Sequence, residues 1–156
     1  MNILRMAFHL EMSVITTKRL IIHKRKVSIM PLIKIHTQKG KAKQVRQAIM
    51  DGVHKALVSA FKIPVTDRTI LLTEYPKEHF SGRNENFTIV EITAFAGRSK
   101  DAKRQLYKEI VDNISVTTKL KKEDVFIIVN DISKENWGIR GGQMASEVDI
   151  GFKVDI

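Results

Sequence analysis

Two stretches, Pro31-Leu-Ile-Lys-Ile-His-Thr-Gln-Lys-Gly-Lys-Ala-Lys and Thr88-Ile-Val-Glu-Ile-Thr-Ala-Phe-Ala-Gly-Arg-Ser-Lys, decide the fold. Laid over one another at an offset of 57 residues, from 31 to 88, they bring Ile35 onto Ile92, Gly40 onto Gly97 and Lys43 onto Lys100. The same offset, without a gap, carries Asp67 onto Asp124, Thr69-Ile-Leu-Leu onto Phe126-Ile-Ile-Val, and Phe80 onto Trp137. Self-similarity over this length decides architecture more firmly than local propensity, because each copy must be one folding unit. The chain therefore reads as two repeats in tandem, 31–87 and 88–145, in a single domain over 31–156.

Each repeat reads as strand, helix, strand. The first strand is expected from Leu32 to Thr37, and Gly40 breaks it. A helix from about Ala42 to Phe61 follows, with Val45, Ile49, Val53, Ala56, Leu57 and Ala60 recurring every three or four residues. Pro64, which cannot donate a helical hydrogen bond, is expected to end it, and Thr69 to Thr73 is the second strand. The second copy runs through a strand from Thr88 to Phe95, a helix with Ser99 as N-cap and Asp101 in its first turn, and a strand from Val125 to Asn130. A strand joined to the next by a helical crossover is parallel to it and right-handed. The expected fold class is α+β: a four-stranded mixed sheet with both helices on one face. The other face then needs cover, and oligomerisation supplies it. The ending Val148-Asp-Ile-Gly-Phe-Lys-Val-Asp-Ile alternates apolar and polar residues, which predicts a further strand over 146–156, either pairing with a neighbouring subunit or at the edge of its own sheet.

The chain has 156 residues and a formal charge of +10. Half of that charge lies in residues 1–30, where Arg5, Lys18, Arg19, Lys24, Arg25 and Lys26 face one acid, Glu11. That segment lacks the order of a secretory signal. It is read as an extension ahead of a functional start at Met30, followed by Pro31. Without it the basic excess is modest, and no stacking platform or docking motif accompanies the Lys and Arg, so nucleic acid is not an expected partner. No run is long and apolar enough for a membrane span. The absence of Cys excludes disulfides, thiolate metal sites and a cysteine nucleophile. A reducing compartment such as the cytoplasm fits. The five histidines show no metal-ligand spacing, and no P-loop, dinucleotide fingerprint or nucleophile elbow is present.

These features resemble the tautomerase superfamily, built from β-α-β units with an amino-terminal proline. Ala96-Gly97-Arg98-Ser99 resembles the turn of 4-oxalocrotonate tautomerase. Phe61-Lys-Ile-Pro64-Val-Thr-Asp67-Arg68 is similar to a segment of malonate semialdehyde decarboxylase, a fused two-unit member. Asn136-Trp137-Gly-Ile-Arg140-Gly-Gly is similar to the tails of the fused tautomerase-like group. The resemblance spans 31–156 and implies a tautomerase/MIF-like fold, a homotrimer of fused chains with one proline site each, and a cofactor-free reaction on a small keto or enol acid.

The resemblance also implies roles. Pro31, as a free secondary amine, would be a general base moving a proton between carbon and oxygen of a 2-keto or enol acid. Apolar burial and nearby cations both disfavour its ammonium form. Arg98 would clamp the substrate's carboxylate through its planar fork, or else be a solvated turn residue. Asp67 would orient water or hold the proline's proton, or else be a turn residue, as its recurrence at Asp124 suggests. Phe80 and Trp137 would wall the substrate pocket or belong to the core, and Arg140 would reach a second carboxylate or lie on the surface. The decarboxylase pattern has two arginines separated by one residue and this chain has only Arg98, which favours tautomerisation. The alternatives are decarboxylation or hydration of a 3-oxo acid with protonated Pro31 and Asp67, or a non-catalytic oligomeric binding protein of the same fold.

Overall fold

The alternation in the first strand is visible as burial: in β1 (Leu32–Gln38), Ile33, Ile35 and Thr37 are fully buried while Lys34 is exposed. β1 pairs in parallel with β2 (Thr69–Tyr75) and antiparallel with β3 (Thr88–Phe95), which pairs in parallel with β4 (Val125–Ile132). The sheet order is therefore β2-β1-β3-β4, with the first strands of the two repeats side by side at the centre. Central strands covered on one face carry the largest apolar side chains there, and Val90, Ile92 and Ala94 of β3 join the core from the same side as Ile33 and Ile35. This computed structural model describes residues 31–156; the extension expected over residues 1–30 lies outside the described residues.

The two crossover helices, α1 (Lys43–Phe61) and α2 (Lys100–Thr117), pack on each other and on that face. Leu106, Ile110 and Ile114 of α2 meet Ile49, Val53 and Leu57 of α1 in one core. Gly52 lets the helices approach: a Cβ there would stand 3.3 Å from Asn113 Cβ and Ile114 Cγ1, and Asn113 Nδ2 donates to Gly52 O at 3.1 Å. Ser99 caps α2 by accepting from Ala102 N at 3.1 Å. α1 stops at Phe61, three residues short of Pro64, because Lys62 turns into the left-handed region at φ 52°.

The repeat extends to ion pairs. Arg46 of α1 reaches Glu74 of β2 at 2.9 Å, and the residues 57 positions on, Lys103 of α2 and Asp131 of β4, pair in the same way. The turns match as well, Gly40 at φ +121° and Gly97 at φ +123°. The sheet's second face is left open, with Leu71 54% and Phe126 49% exposed.

Within one chain the C-terminal segment 146–156 forms no strand at the edge of its own sheet. Burial does alternate, with Ile150 and Val154 buried and Asp149, Gly151, Lys153 and Asp155 exposed, but the segment makes no ladder. Gly151 at φ +81° turns it, and it packs on the Gly97 turn instead of along a strand edge. What the alternation records is a chain laid over a surface. Ahead of it, β5 (Gly138–Ile139) and β6 (Gln143–Met144) form a small antiparallel hairpin.

Leu106→Ala should cost about 2–5 kcal/mol in urea unfolding, from lost burial and the cavity left behind. Val116→Ala, on the same helix but 84% exposed, should stay within about 0.5 kcal/mol.

Candidate active site

Strand register assembles the site. Leu32 lies across from Thr93 and beside Thr69, so Pro31 stands where β3 runs out into Gly97 and Arg98 and where Asp67 leads into β2. Three candidates from both repeats thus share one end of the sheet. Pro31 is buried, Asp67 is 2% exposed and Arg98 is 7% exposed. The Asp67 amide donates to Pro64 O at 2.9 Å, which is the turn the proline enforces. Trp137 stands against the same end: its ring meets Phe95 edge-on at 5.4 Å, and Nε1 donates to Ile132 O at 3.4 Å, the last residue of β4.

Arg98 is not a solvated turn residue. Its Nη1 donates to Val154 O at 2.8 Å, Phe61 O at 3.1 Å and Lys153 O at 3.3 Å. Burial pushes its pKa down, opposed by the charges of Asp155 and Asp131. Such a group is a cation held out of water, and an anion beside it is strongly favoured.

The opposite end of the sheet carries the repeat-related set Thr88, Asp124 and Lys41, and the inter-repeat linker closes it. Asn84 Nδ2 donates to Asp124 Oδ1 at 2.7 Å, Thr88 Oγ1 to Asn86 O at 3.0 Å, and Lys41 Nζ to Glu85 O at 3.1 Å. Burial lowers the Lys41 pKa, against the opposing pull of Glu74, Glu85 and Asp124. Phe80 belongs to this end: it stacks on Tyr75 at 5.9 Å and faces Phe87 at 6.4 Å, which in turn lies 6.5 Å from Phe126. Within one chain, therefore, the pairing of Phe80 with Trp137 as walls of one pocket does not occur, because the repeat carries the two aromatics to opposite ends. Arg140 lies in the β5–β6 turn at φ 48°, its Nη1 donating to Asp149 O at 2.8 Å. Among the described residues no group of three or more His, Asp or Glu could hold a metal ion, and no helix is long and apolar enough to cross a membrane.

The reading of the sequence missed the contact of residues 152–156 with Arg98. The one signal available was Gly97: besides its positive φ, a Cβ there would sit 2.3 Å from Asp155 Oδ1 and 3.3 Å from Val154 Cγ1. Nothing in the sequence says which segment approaches a glycine.

Residues 31–84 match a family model described as "Tautomerase enzyme", and residues 81–140 match a second with the same description. The probable tautomerase lin2709 of Listeria innocua is 34% identical over 59 residues, covering 38% of this chain and 95% of its own length. The probable tautomerase YusQ of Bacillus subtilis is 24% identical over 122 residues, covering 73% of this chain and 96% of its own. Among solved structures, a native fused 4-OT superposes with a TM-score of 0.68 at 20% identity, over 75% of this chain and 98% of that one. A malonate semialdehyde decarboxylase does so with a TM-score of 0.68 at 19% identity, over 76% and 99%. The chain belongs to the tautomerase superfamily.

Gly40→Ala and Gly97→Ala should each lose roughly 1–3 kcal/mol in urea unfolding, because both glycines hold a φ that L side chains rarely adopt. Only Gly97→Ala should also speed hydrogen exchange of the Ser99 amide, which donates to Ile156 O at 2.9 Å, since its Cβ displaces Asp155.

Proposed function

We propose that the chain is a cofactor-free tautomerase of a small 2-keto or enol acid, with Pro31 as general base and Arg98 as carboxylate clamp. The observation that carries this reading is the meeting of a buried proline, a buried carboxyl group and a buried guanidinium at one end of the sheet, drawn from both repeats. The family match that begins at residue 31 and the tautomerase names of the relatives support it. In the reaction, the Pro31 amine takes a proton from the oxygen or carbon of the enol system and returns it at the other. Arg98 balances the substrate's carboxylate and the negative charge that spreads toward the carbonyl oxygen. Trp137 and Phe95 form an apolar wall, which strengthens these charge interactions by excluding water.

Only a proline with a free amine can do this, so residues 1–30 must be absent from the active form. A chain produced to begin at Pro31 should ketonise phenylenolpyruvate or 2-hydroxymuconate, and Pro31→Ala should lower kcat/KM by roughly 10²–10⁴. The chain that retains residues 1–30 should be inactive. Full activity in Pro31→Ala would overturn the mechanism.

A second reading keeps Pro31 protonated and uses Asp67 with water to decarboxylate or hydrate a 3-oxo acid; the burial of Asp67 at this end favours it. Carbon dioxide release from malonate semialdehyde, abolished in Asp67→Asn, would select that reading.

The working form is a homotrimer. Its support is the open sheet face with Leu71 and Phe126, together with the trimers described for similar fused 4-OT structures. Light scattering should give three times the mass of one chain, and Leu71→Lys should shift it toward the monomer, since a charge would be buried unpaired.

A further inference from the structure

Three neutral carbonyls share one terminal nitrogen of Arg98, while its Nε is buried with no hydrogen-bond partner. The guanidinium carbon lies 4.9 Å from the centre of the Phe61 ring and 6.0 Å from that of Phe152, so the cation is enclosed between the end of α1 and the C-terminal segment. A buried N–H left without an acceptor costs roughly 1–3 kcal/mol, and more on a charged group. A carboxylate adds to the charge-assisted bonds of a guanidinium the neutralisation of its charge and a bidentate geometry that separate carbonyls do not offer. The guanidinium is thus held by acceptors weaker than a carboxylate, with a donor to spare.

We propose that residues 151–156 are a strap that occupies Arg98 in the empty protein and is displaced when a carboxylate ligand takes the same guanidinium. The proposal rests on the reading of Arg98 as the carboxylate clamp. Apart from Arg98, one backbone hydrogen bond holds the strap, Ser99 N donating to Ile156 O at 2.9 Å; the rest is packing, with Val154 against Phe95 and Ala145, Phe152 and Ile156 against the main core, and Asp155 against Gly97. It forms no strand ladder, and it follows Gly151 at φ +81°, a residue free to absorb the swing. A segment outside any hydrogen-bonded ladder opens at a lower free energy than the sheet and helices it covers.

The repeat supplies the control. Beside Lys41, the counterpart of Arg98, the matching groove is an open cleft of about 630 Å³ lined by Gly40, Lys41, Val45, Asn86, Thr118 and Leu120. The linker bonds Lys41 through Glu85 O, yet nothing lies over Gly40, where an added Cβ would meet no atom within 4 Å, so the turn itself holds its shape without a strap. Its consequence for binding is a competition: the closed fraction raises the apparent Kd of any carboxylate that needs Arg98.

The test uses the chain produced to begin at Pro31 and phenylpyruvate as the carboxylate probe. Binding is read by calorimetry, and the strap by hydrogen exchange at the Ser99 amide. Phenylpyruvate should speed Ser99 exchange, and Asp155→Ala, which removes an exposed carboxylate neighbouring Arg98, should bind the probe roughly two- to fivefold tighter. Arg98→Gln, checked for folding by circular dichroism, should lose the binding; if it fails to fold, exchange at Ser99 in the unaltered chain decides. Probe binding that depends on Arg98 but leaves Ser99 protected overturns the strap and keeps the clamp. Binding unchanged in a folded Arg98→Gln, or no binding to either the unaltered chain beginning at Pro31 or its Asp155→Ala variant, overturns the clamp and the strap with it.

Discussion

The antiparallel hydrogen bonds between β1 and β3 place every feature of the candidate site. Each repeat by itself is a strand, a helix and a parallel strand, whose apolar helix face needs a sheet wider than two strands to cover it. Pairing the two first strands head to tail widens the sheet to four and stacks α1 on α2 over one face. The same pairing sets the start of one repeat beside the turn that follows the first strand of the other. Pro31 therefore meets the Gly97–Arg98 turn and not its own Gly40–Lys41 turn. A parallel pairing would have separated them by the length of a strand.

Fusion then allows the two ends of the sheet to diverge. At one end the polar groups of Thr88, Asp124 and Lys41 are satisfied by Asn84, Glu85 and Asn86 of the linker, with an aromatic row from Tyr75 to Phe126 beside them. At the other end Arg98 is served by the chain's last residues. A covalent linker closes its end permanently. At the other end Lys153 and Val154 reach Arg98 without a strand ladder, and the proposed chemistry is assigned there because Pro31, Asp67 and Arg98 meet at that end.

The two arginine-like positions show how burial and partner choice act together. Lys41 and Arg98 occupy equivalent places after equivalent glycines, and desolvation lowers the pKa of both. Lys41 has a compact ammonium and settles one hydrogen bond to Glu85 O. Arg98 has a planar fork that one short segment does not saturate. The residual donor is the physical basis for expecting an anion.

The repeat, the strand-helix-strand order, the glycine turns, the Ser99 cap and the candidates Pro31, Asp67 and Arg98 were legible in the sequence, because each depends on local periodicity or on residue types at a fixed offset. Phe80 shows the limit: the offset equates it with Trp137 but does not say that equivalent residues lie at opposite ends, which follows only from the antiparallel join. The alternation over 148–156 likewise recorded which side chains are covered, and not that the covering surface is a turn with Arg98 beneath it. By itself the sequence determined the units and the family they belong to, and marked the candidate residues. The tertiary structure decided which unit's turn meets which unit's start, and where the tail lies, because those depend on hydrogen bonds and contacts between segments far apart in the chain.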